Sequence, residues 1–294
     1  MTDTERLDVR VARQFALSRR KAQDVIAAGQ VDVDSQRVRD GGSQVRPAQN
    51  VAFNPNRRRE ASIRLSLSTA FLDDHLAVVD KPPGLLTVPT DGGTHDDSVL
   101  SRLRSDFERV RGARNYVGAL HRLDRGTSGL VAIALSRECH AAGRAAFRDH
   151  AFLRRYLALV EGVPKARQGT IDLKISDEYE SGKRHIVNDD DDEPSRAAVT
   201  HYRVKETFSR AALLEVELET GRQHQIRLHL RALGHPIVGD GVYGSKERSE
   251  KSRPLLHACL LSFPHPITGA PVHCESGLPR DFKEVVERLR RPRG

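Results

Sequence analysis

The 294 residues carry 48 Lys and Arg against 40 Asp and Glu, a formal charge of +8 and a pI near 9.7. That excess of cation favours a polyanionic partner, nucleic acid first, because neutralised phosphates bind without regard to sequence. Three cysteines, Cys139, Cys259 and Cys274, without C-x-x-C spacing exclude a disulfide framework and point to a reducing compartment; with no apolar signal region or membrane-length run, a cytoplasmic protein is expected.

The first fifty residues read as a compact unit. Leu7, Val11 and Phe15 recur at four-residue spacing and give a short helix one apolar stripe. Ser18 caps a second helix, with Ala22, Val25 and Ile26 facing inward and Gly29 as its left-handed stop. Val31 and Val33 alternate with Asp32 and Asp34 as in a strand; Gly41-Gly42 turns the chain towards Val45 and a last strand at 51–53. Arg19, Arg20 and Lys21 open the second helix, where the helix dipole is already positive, and a bound phosphate would offset the conflict.

The order Arg6-Leu7-Asp8, Ser18-Arg19 and Ile26-Ala27-Ala28-Gly29-Gln30-Val31-Asp32-Val33 resembles the small α/β RNA-binding module first described in the fourth small-subunit ribosomal protein. Asn54-Pro55-Asn56-Arg57-Arg58-Arg59 reads as a hinge with phosphate-seeking arginines, Arg57 and Arg58 among them. The boundary is placed close to residue 60, giving domains 1–60 and 61–294.

Beyond the hinge, strands, hairpins and a few helices follow without a β-α-β beat. Leu76-Ala77-Val78-Val79 is a strand ended by Asp80-Lys81-Pro82-Pro83-Gly84, and Ser136 caps a helix carrying Ala141, Ala145 and Phe147. Residues 156–160 form an apolar strand closed by Gly162, and two more strands, near 199–207 and 211–219, flank a turn at Ser209-Arg210. A mixed, mostly antiparallel α+β domain is expected. The acidic run 188–193 should point away from a polyanion or sit disordered.

Chemistry gathers in three strings. His121-Arg122-Leu123-Asp124-Arg125-Gly126-Thr127-Ser128-Gly129-Leu130 sets one carboxylate, Asp124, between two arginines in a tight turn leading into a buried strand. Thr220-Gly221-Arg222-Gln223-His224-Gln225-Ile226-Arg227-Leu228-His229-Leu230 reads as a helix capped by Thr220, with Arg222 in its first turn and in want of a carboxylate such as Asp124. Arg154-Arg155-Tyr156-Leu157-Ala158-Leu159-Val160-Glu161-Gly162 opens an apolar strand with a tyrosine. Asp80 and Asp240 are rival carboxylates, each beside a Pro/Gly turn that suggests a structural role.

These strings resemble the H-R-L-D-x-x-T-S-G, R-x-H-Q-I-R-x-H and basic-Tyr segments of the RluA-type RNA pseudouridine synthases, and weaker matches run from about residue 70 to 282. One departure is Ser195-Arg196-Ala197-Ala198-Val199-Thr200, where the family commonly has Gly-Lys before Ala-x-Thr. The resemblance implies a pseudouridine synthase fold and an isomerase acting on RNA. Asp124 would be the catalytic carboxylate, Arg222 its ion-pair partner and Tyr156 the ring that stacks on the target base. Arg122 would fill the space a flipped uridine vacates, and Leu228 would add an apolar wall.

Cofactor and metal are expected to be absent, since the chain has no phosphate-cradling Gly loop, Rossmann fingerprint or zinc spacing. Large-subunit ribosomal RNA is the expected substrate, on the strength of the N-terminal module, and the protein is expected to work as a monomer. A tRNA-modifying member of the same family is the alternative. A non-catalytic ribosome-assembly factor would have no chemical reason to keep Asp124, Tyr156 and Arg222 together. A hydrolase would need a third partner for Ser128 and His121.

Overall fold

The computed structural model describes residues 4–55, 65–90, 97–111, 116–148, 151–178, 183–188, 192–244 and 253–291, without the side chains of Arg111 and Arg148. The chain divides into two compact units, Met1–Arg64 and Leu65–Gly294. Arg57 and Arg58 lie outside the described residues, as does part of the acidic run.

The first unit contains β1 (Glu5–Arg6), α1 (Leu7–Gln14), α2 (Arg19–Ala27), β2 (Val31–Val33), β3 (Gln36–Arg37), β4 (Gln44–Val45) and β5 (Val51–Phe53). Strands β3, β2 and β5 form one antiparallel sheet in that order, and β1 pairs with β4. Leu7, Val11, Ala22, Val25, Ile26, Val31 and Val51 close a core between the helices and the sheet.

Ser18 caps α2 by accepting a hydrogen bond from the Lys21 amide at 3.2 Å, and Gly29 takes φ 68°. The Asp8 carboxylate is fully buried, and hydrogen bonds from Arg6, Gln23 and Arg19 hold it far below the usual carboxylate range despite that burial. Arg19 therefore helps to hold the module together. Arg20 and Lys21 are exposed, and among the described residues their side chains make no hydrogen bond or ion pair.

The second unit contains β6 (Thr69–Leu72), β7 (Leu76–Lys81), α3 (Val99–Arg111), β8 (Gly118–Ala119), β9 (Ser128–Ala134), α4 (Arg137–Arg148), β10 (Leu153–Glu161) and β11 (Gln168–Asp172). It continues with β12 (Lys174–Ser176), β13 (Ile186–Val187), β14 (Ser195–Arg196), β15 (Val199–Thr207), β16 (Ala211–Leu218), α5 (Gln225–Ala232), β17 (Leu256–Pro264), β18 (Pro271–Glu275) and α6 (Arg280–Arg290).

One large sheet runs β11-β15-β16-β10-β17-β9-β7-β6, with β18 beside β17 and β8 beside β9. All its pairs are antiparallel except β9 with β17. The all-apolar run 130–134 is explained by burial of β9 on both faces, since every residue of that strand is buried. Leu76, Val78, Leu130 and Ala132 pack with Cys139 of α4, Phe152 and Phe263; Phe282 and Val286 of α6 pack with Leu159 and Leu213. The Ser136 hydroxyl accepts from the Cys139 amide at 3.1 Å and caps α4. Among the described residues no helix is long and apolar enough to cross a membrane.

Candidate active site

Asp124 sits on a turn whose backbone is tied from several sides. The Thr87 hydroxyl donates to the Leu123 carbonyl at 2.8 Å and accepts from the Leu123 amide at 3.0 Å. The Arg125 carbonyl accepts from the Gly84 amide (2.8 Å) and from Lys81 Nζ (3.2 Å), while Arg125 Nε returns a bond to the Gly84 carbonyl (3.0 Å). Arg253 Nη1 donates to the Gly126 carbonyl at 3.2 Å.

Lys81 is 0% exposed and also donates to the Leu85 and Pro82 carbonyls. Burial draws its pKa down to about 7 against the pull of the Asp124 charge. The Asp80-Lys81-Pro82-Pro83-Gly84 segment thus acts as a backbone clamp on the Asp124 turn. Gly129 closes the turn at φ 110°. A Cβ there would collide with the Ala258 backbone, 2.7 Å from its nitrogen and closer still to its carbonyl oxygen. Only glycine lets β9 run this close beside β17.

The Asp124 carboxylate is 25% exposed, with Oδ2 3.4 Å from Arg227 Nη1 and 3.9 Å from His224 Nε2. Arg227 is held by a two-pronged pair to Asp240, Nε and Nη2 each at 2.7 Å from a carboxylate oxygen, and its guanidinium lies 4.9 Å from the Tyr243 ring centroid. Asp240 accepts further bonds from the Val242 and Tyr243 amides. Burial opposes its charge, yet these donors hold its carboxyl below the usual range. The structural role read for Asp240 is therefore specific: it aims Arg227.

Arg222 does not make the expected pair. Helix α5 begins at Gln225, after His224 in a left-handed conformation (φ 59°), so Arg222 lies ahead of the helix instead of in its first turn. Thr220 caps nothing: its hydroxyl donates to Gln225 Oε1 (2.8 Å) and accepts from the Val199 amide (2.9 Å). Gln225 Oε1 also accepts from the Arg222 amide, and its Nε2 donates to the Val199 carbonyl and the Thr200 hydroxyl. This buried amide clips residues 220–225 to β15 and directs Arg222 Nε to the Ala197 carbonyl at 3.1 Å.

Leu228 is a second correction. It is 3% exposed and packs with Ile175, Ala198 and Tyr243, away from the Asp124 turn. One residue along a helix turns the side chain by roughly 100°, so facing Arg227 towards Asp124 turns Leu228 away.

Tyr156 reaches the site from β10, and Arg154, two residues earlier, shares its face. Both are buried and both line the groove above Asp124; Arg155 between them turns to Glu215 and Glu217 on the opposite face. A bulge in the β10–β17 register falls between Arg155 and Tyr156, a device that re-aims a side chain. Arg154 donates to the Thr220 carbonyl (3.3 Å) and lies 5.0 Å from the Phe147 ring centroid. Burial pushes the Tyr156 phenol up, as does Asp124, with Arg154 opposing.

The groove encloses about 1360 Å³ and is lined by Arg122, Asp124, Tyr156 and Arg222 together with His224, Arg154 and Arg227, three residues to which the motif reading gave no role. Arg122 is exposed, and among the described residues its side chain makes no hydrogen bond or ion pair. The Ser128 hydroxyl meets His257 Nδ1 at 3.0 Å, not His121, and both members of that pair are buried. Among the described residues no group of His, Cys, Asp and Glu side chains could hold a metal ion.

Residues 75–232 match the family model for RNA pseudouridylate synthase. The chain belongs to that family. Residues 5–51 match the S4 domain, which accounts for the first unit. Among relatives, the ribosomal large subunit pseudouridine synthase D of Zymomonas mobilis is 35% identical over 236 residues, covering 76% of this chain and 73% of the relative. An uncharacterised RNA pseudouridine synthase of Mycobacterium bovis is 34% identical and covers 97% of this chain and 94% of its own. Of solved structures, human RNA pseudouridylate synthase domain containing 4 superposes with a TM-score of 0.63 at 25% identity, over 76% of this chain and 93% of the human one. As an RNA pseudouridine synthase the chain is an isomerase with an RNA-binding S4 domain at its N-terminal end.

Proposed function

We propose that this synthase converts uridine to pseudouridine in large-subunit ribosomal RNA, with Asp124 as the catalytic carboxylate. The observation that carries the reading is the partly exposed Asp124 carboxylate facing Arg227 within a groove also lined by Tyr156. The reaction breaks the bond from ribose C1′ to uracil N1, turns the detached base and joins C1′ to C5; the proton on C5 leaves and N1 gains one. No net oxidation occurs. One fixed carboxylate acts as nucleophile or as base, and the site must hold the free uracil meanwhile.

Each neighbour of Asp124 has a part in this reading. Arg227, aimed by Asp240, sets a fixed positive charge against the carboxylate and orients it. Tyr156 presents its ring to the uracil, every base having a π-face to offer. A uridine inside a stem cannot reach a groove-bound carboxylate, so it flips out, and the exposed Arg122 fills its place. Large-subunit RNA is favoured because several relatives carry that substrate in their names and the first unit is an S4 domain.

The test is to incubate the purified chain with transcripts of large-subunit ribosomal RNA and of tRNA and to map pseudouridine in each. Modification of the ribosomal transcript is expected. Modification of tRNA alone would remove the ribosomal assignment, and none in either would remove the catalytic one.

A further inference from the structure

The groove continues beyond Asp124. Its volume of about 1360 Å³ exceeds the ~300–1,000 Å³ that ordinarily encloses one small ligand. The extra space is walled by α4 and α3. Residues 137, 140, 144 and 147 recur along α4 at helical spacing and form a single stripe, of which His140, Arg144 and Phe147 line the groove. Phe147 marks the end next to the active site, its ring stacked on His121 with centroids 5.1 Å apart and lying near Arg154.

From there the stripe leads to a rigid floor. His140 Nε2 donates to the Ala119 carbonyl at 3.1 Å, which leaves Nδ1 to accept from the Tyr116 hydroxyl at 2.5 Å. Arg137 lies 5.2 Å from the centroid of the Tyr116 ring. Gly143 of α4 packs against the Leu120 side chain, where a Cβ would stand 2.6 Å from Leu120 Cδ2.

Two exposed guanidinium groups line this arm. Arg144 makes no side-chain hydrogen bond or ion pair among the described residues, and Arg104 of α3 makes one bond of 3.3 Å to the Val117 carbonyl. The carboxylates among the described lining residues are Asp124 and Glu219, and neither belongs to α3 or α4. A positive, concave and pre-shaped tract of this kind suits phosphates.

We propose that this arm seats the RNA strand adjoining the flipped uridine, with Arg104 and Arg144 on its phosphates and the Tyr116–His140 pair fixing the floor. The inference rests on the synthase reading for its substrate. A uridine delivered to Asp124 stays bonded to its neighbours, so those nucleotides must lie in the same groove. The fixed hydrogen bonds of Tyr116 and His140 keep the floor shaped before RNA arrives, which limits the ordering cost of binding.

The experiment compares the full chain with Arg104→Ala/Arg144→Ala and with a charge-matched control, Lys283→Ala/Arg288→Ala, on α6. Each is titrated with a fluorescein-labelled RNA hairpin bearing an all-uridine loop over a range of salt, and unchanged melting temperatures confirm folding. The groove pair should weaken binding roughly tenfold and lower the salt slope by about 2, near one unit per phosphate lost. Unchanged affinity and slope, or an equal loss in the control pair, would overturn the proposal. Loss of hairpin binding in the groove pair, with no pseudouridine made by the parent chain, would keep the RNA seat and overturn the synthase reading instead.

Discussion

Arg227 stands 3.4 Å from the Asp124 carboxylate and is itself gripped by Asp240 at 2.7 Å through both Nε and Nη2. The bidentate grip fixes the guanidinium plane and leaves Nη1 for Asp124, so the pair has one geometry. Arg227→Lys keeps the charge but loses the fork, and should cut the single-turnover rate by about a hundredfold with little change in RNA affinity. Arg227→Ala strands the buried Asp240 charge and should also cost about 3–5 kcal/mol in urea unfolding. Arg222→Ala should keep the parent rate within about threefold. A rate loss confined to the Arg222 variant would reverse the assignment.

Asp124→Asn removes the reactive oxygen while preserving size. No pseudouridine should form, and hairpin affinity should remain within about twofold, since most nucleic-acid affinity comes from phosphate contacts. Both are read on one preparation, by pseudouridine mapping and by fluorescence titration. Retained turnover would remove Asp124 from the mechanism.

In the S4 domain, the exposed Arg20 and Lys21 differ from Arg19, which bonds the buried Asp8. Arg20→Ala/Lys21→Ala should lower the salt slope of RNA binding by up to about 2 without shifting the melting temperature. Arg19→Ala should lower the melting temperature as well, because Asp8 loses a donor. Identical melting behaviour in both variants would contradict the division.

Gly129→Ala forces a side chain into the Ala258 backbone at a φ that L-residues avoid. Strain and overpacking together predict about 3 kcal/mol or more of destabilisation, measured by urea unfolding. Parent-like stability would mean that β9 and β17 tolerate separation.

Lys81 makes stability depend on pH. Its pKa falls from 10.5 when unfolded to about 7 when folded. Between those values the unfolded chain binds more protons, so the stabilisation is complete above the unfolded value and is lost as pH falls towards 7. Relative to Lys81→Met, which does not titrate there, the parent should gain stability as pH rises from 7 to 9. A constant difference across that range would show that the buried amine keeps its proton.

Much of this molecule is local and was legible in the sequence. Apolar spacing located the strands at Leu76, Tyr156, Val199 and Ala211; Ser18 and Ser136 marked helix starts, and Gly29 a helix end. The string around Asp124 announced a tight turn into a buried strand because a turn and an unbroken apolar run are properties of neighbouring residues.

Which arginine meets Asp124 was not legible, because the answer depends on where α5 begins. The cue favoured a Thr220 cap; the Gln225 amide, bonded to Val199 and Thr200 of β15, delays the helix and exchanges Arg222 for Arg227. The same rotation sends Leu228 into the core. Lys81 and Gly129 were present in the motifs without a reason, supplied only when the 81–87 segment and β17 close around the turn. Composition and spacing pointed to a polyanion-seeking chain with a carboxylate, Asp124, set between two arginines on a tight turn. Tertiary structure decided the charge that faces it, because a helix's first residue and a side chain's direction are set by hydrogen bonds to strands far away in sequence.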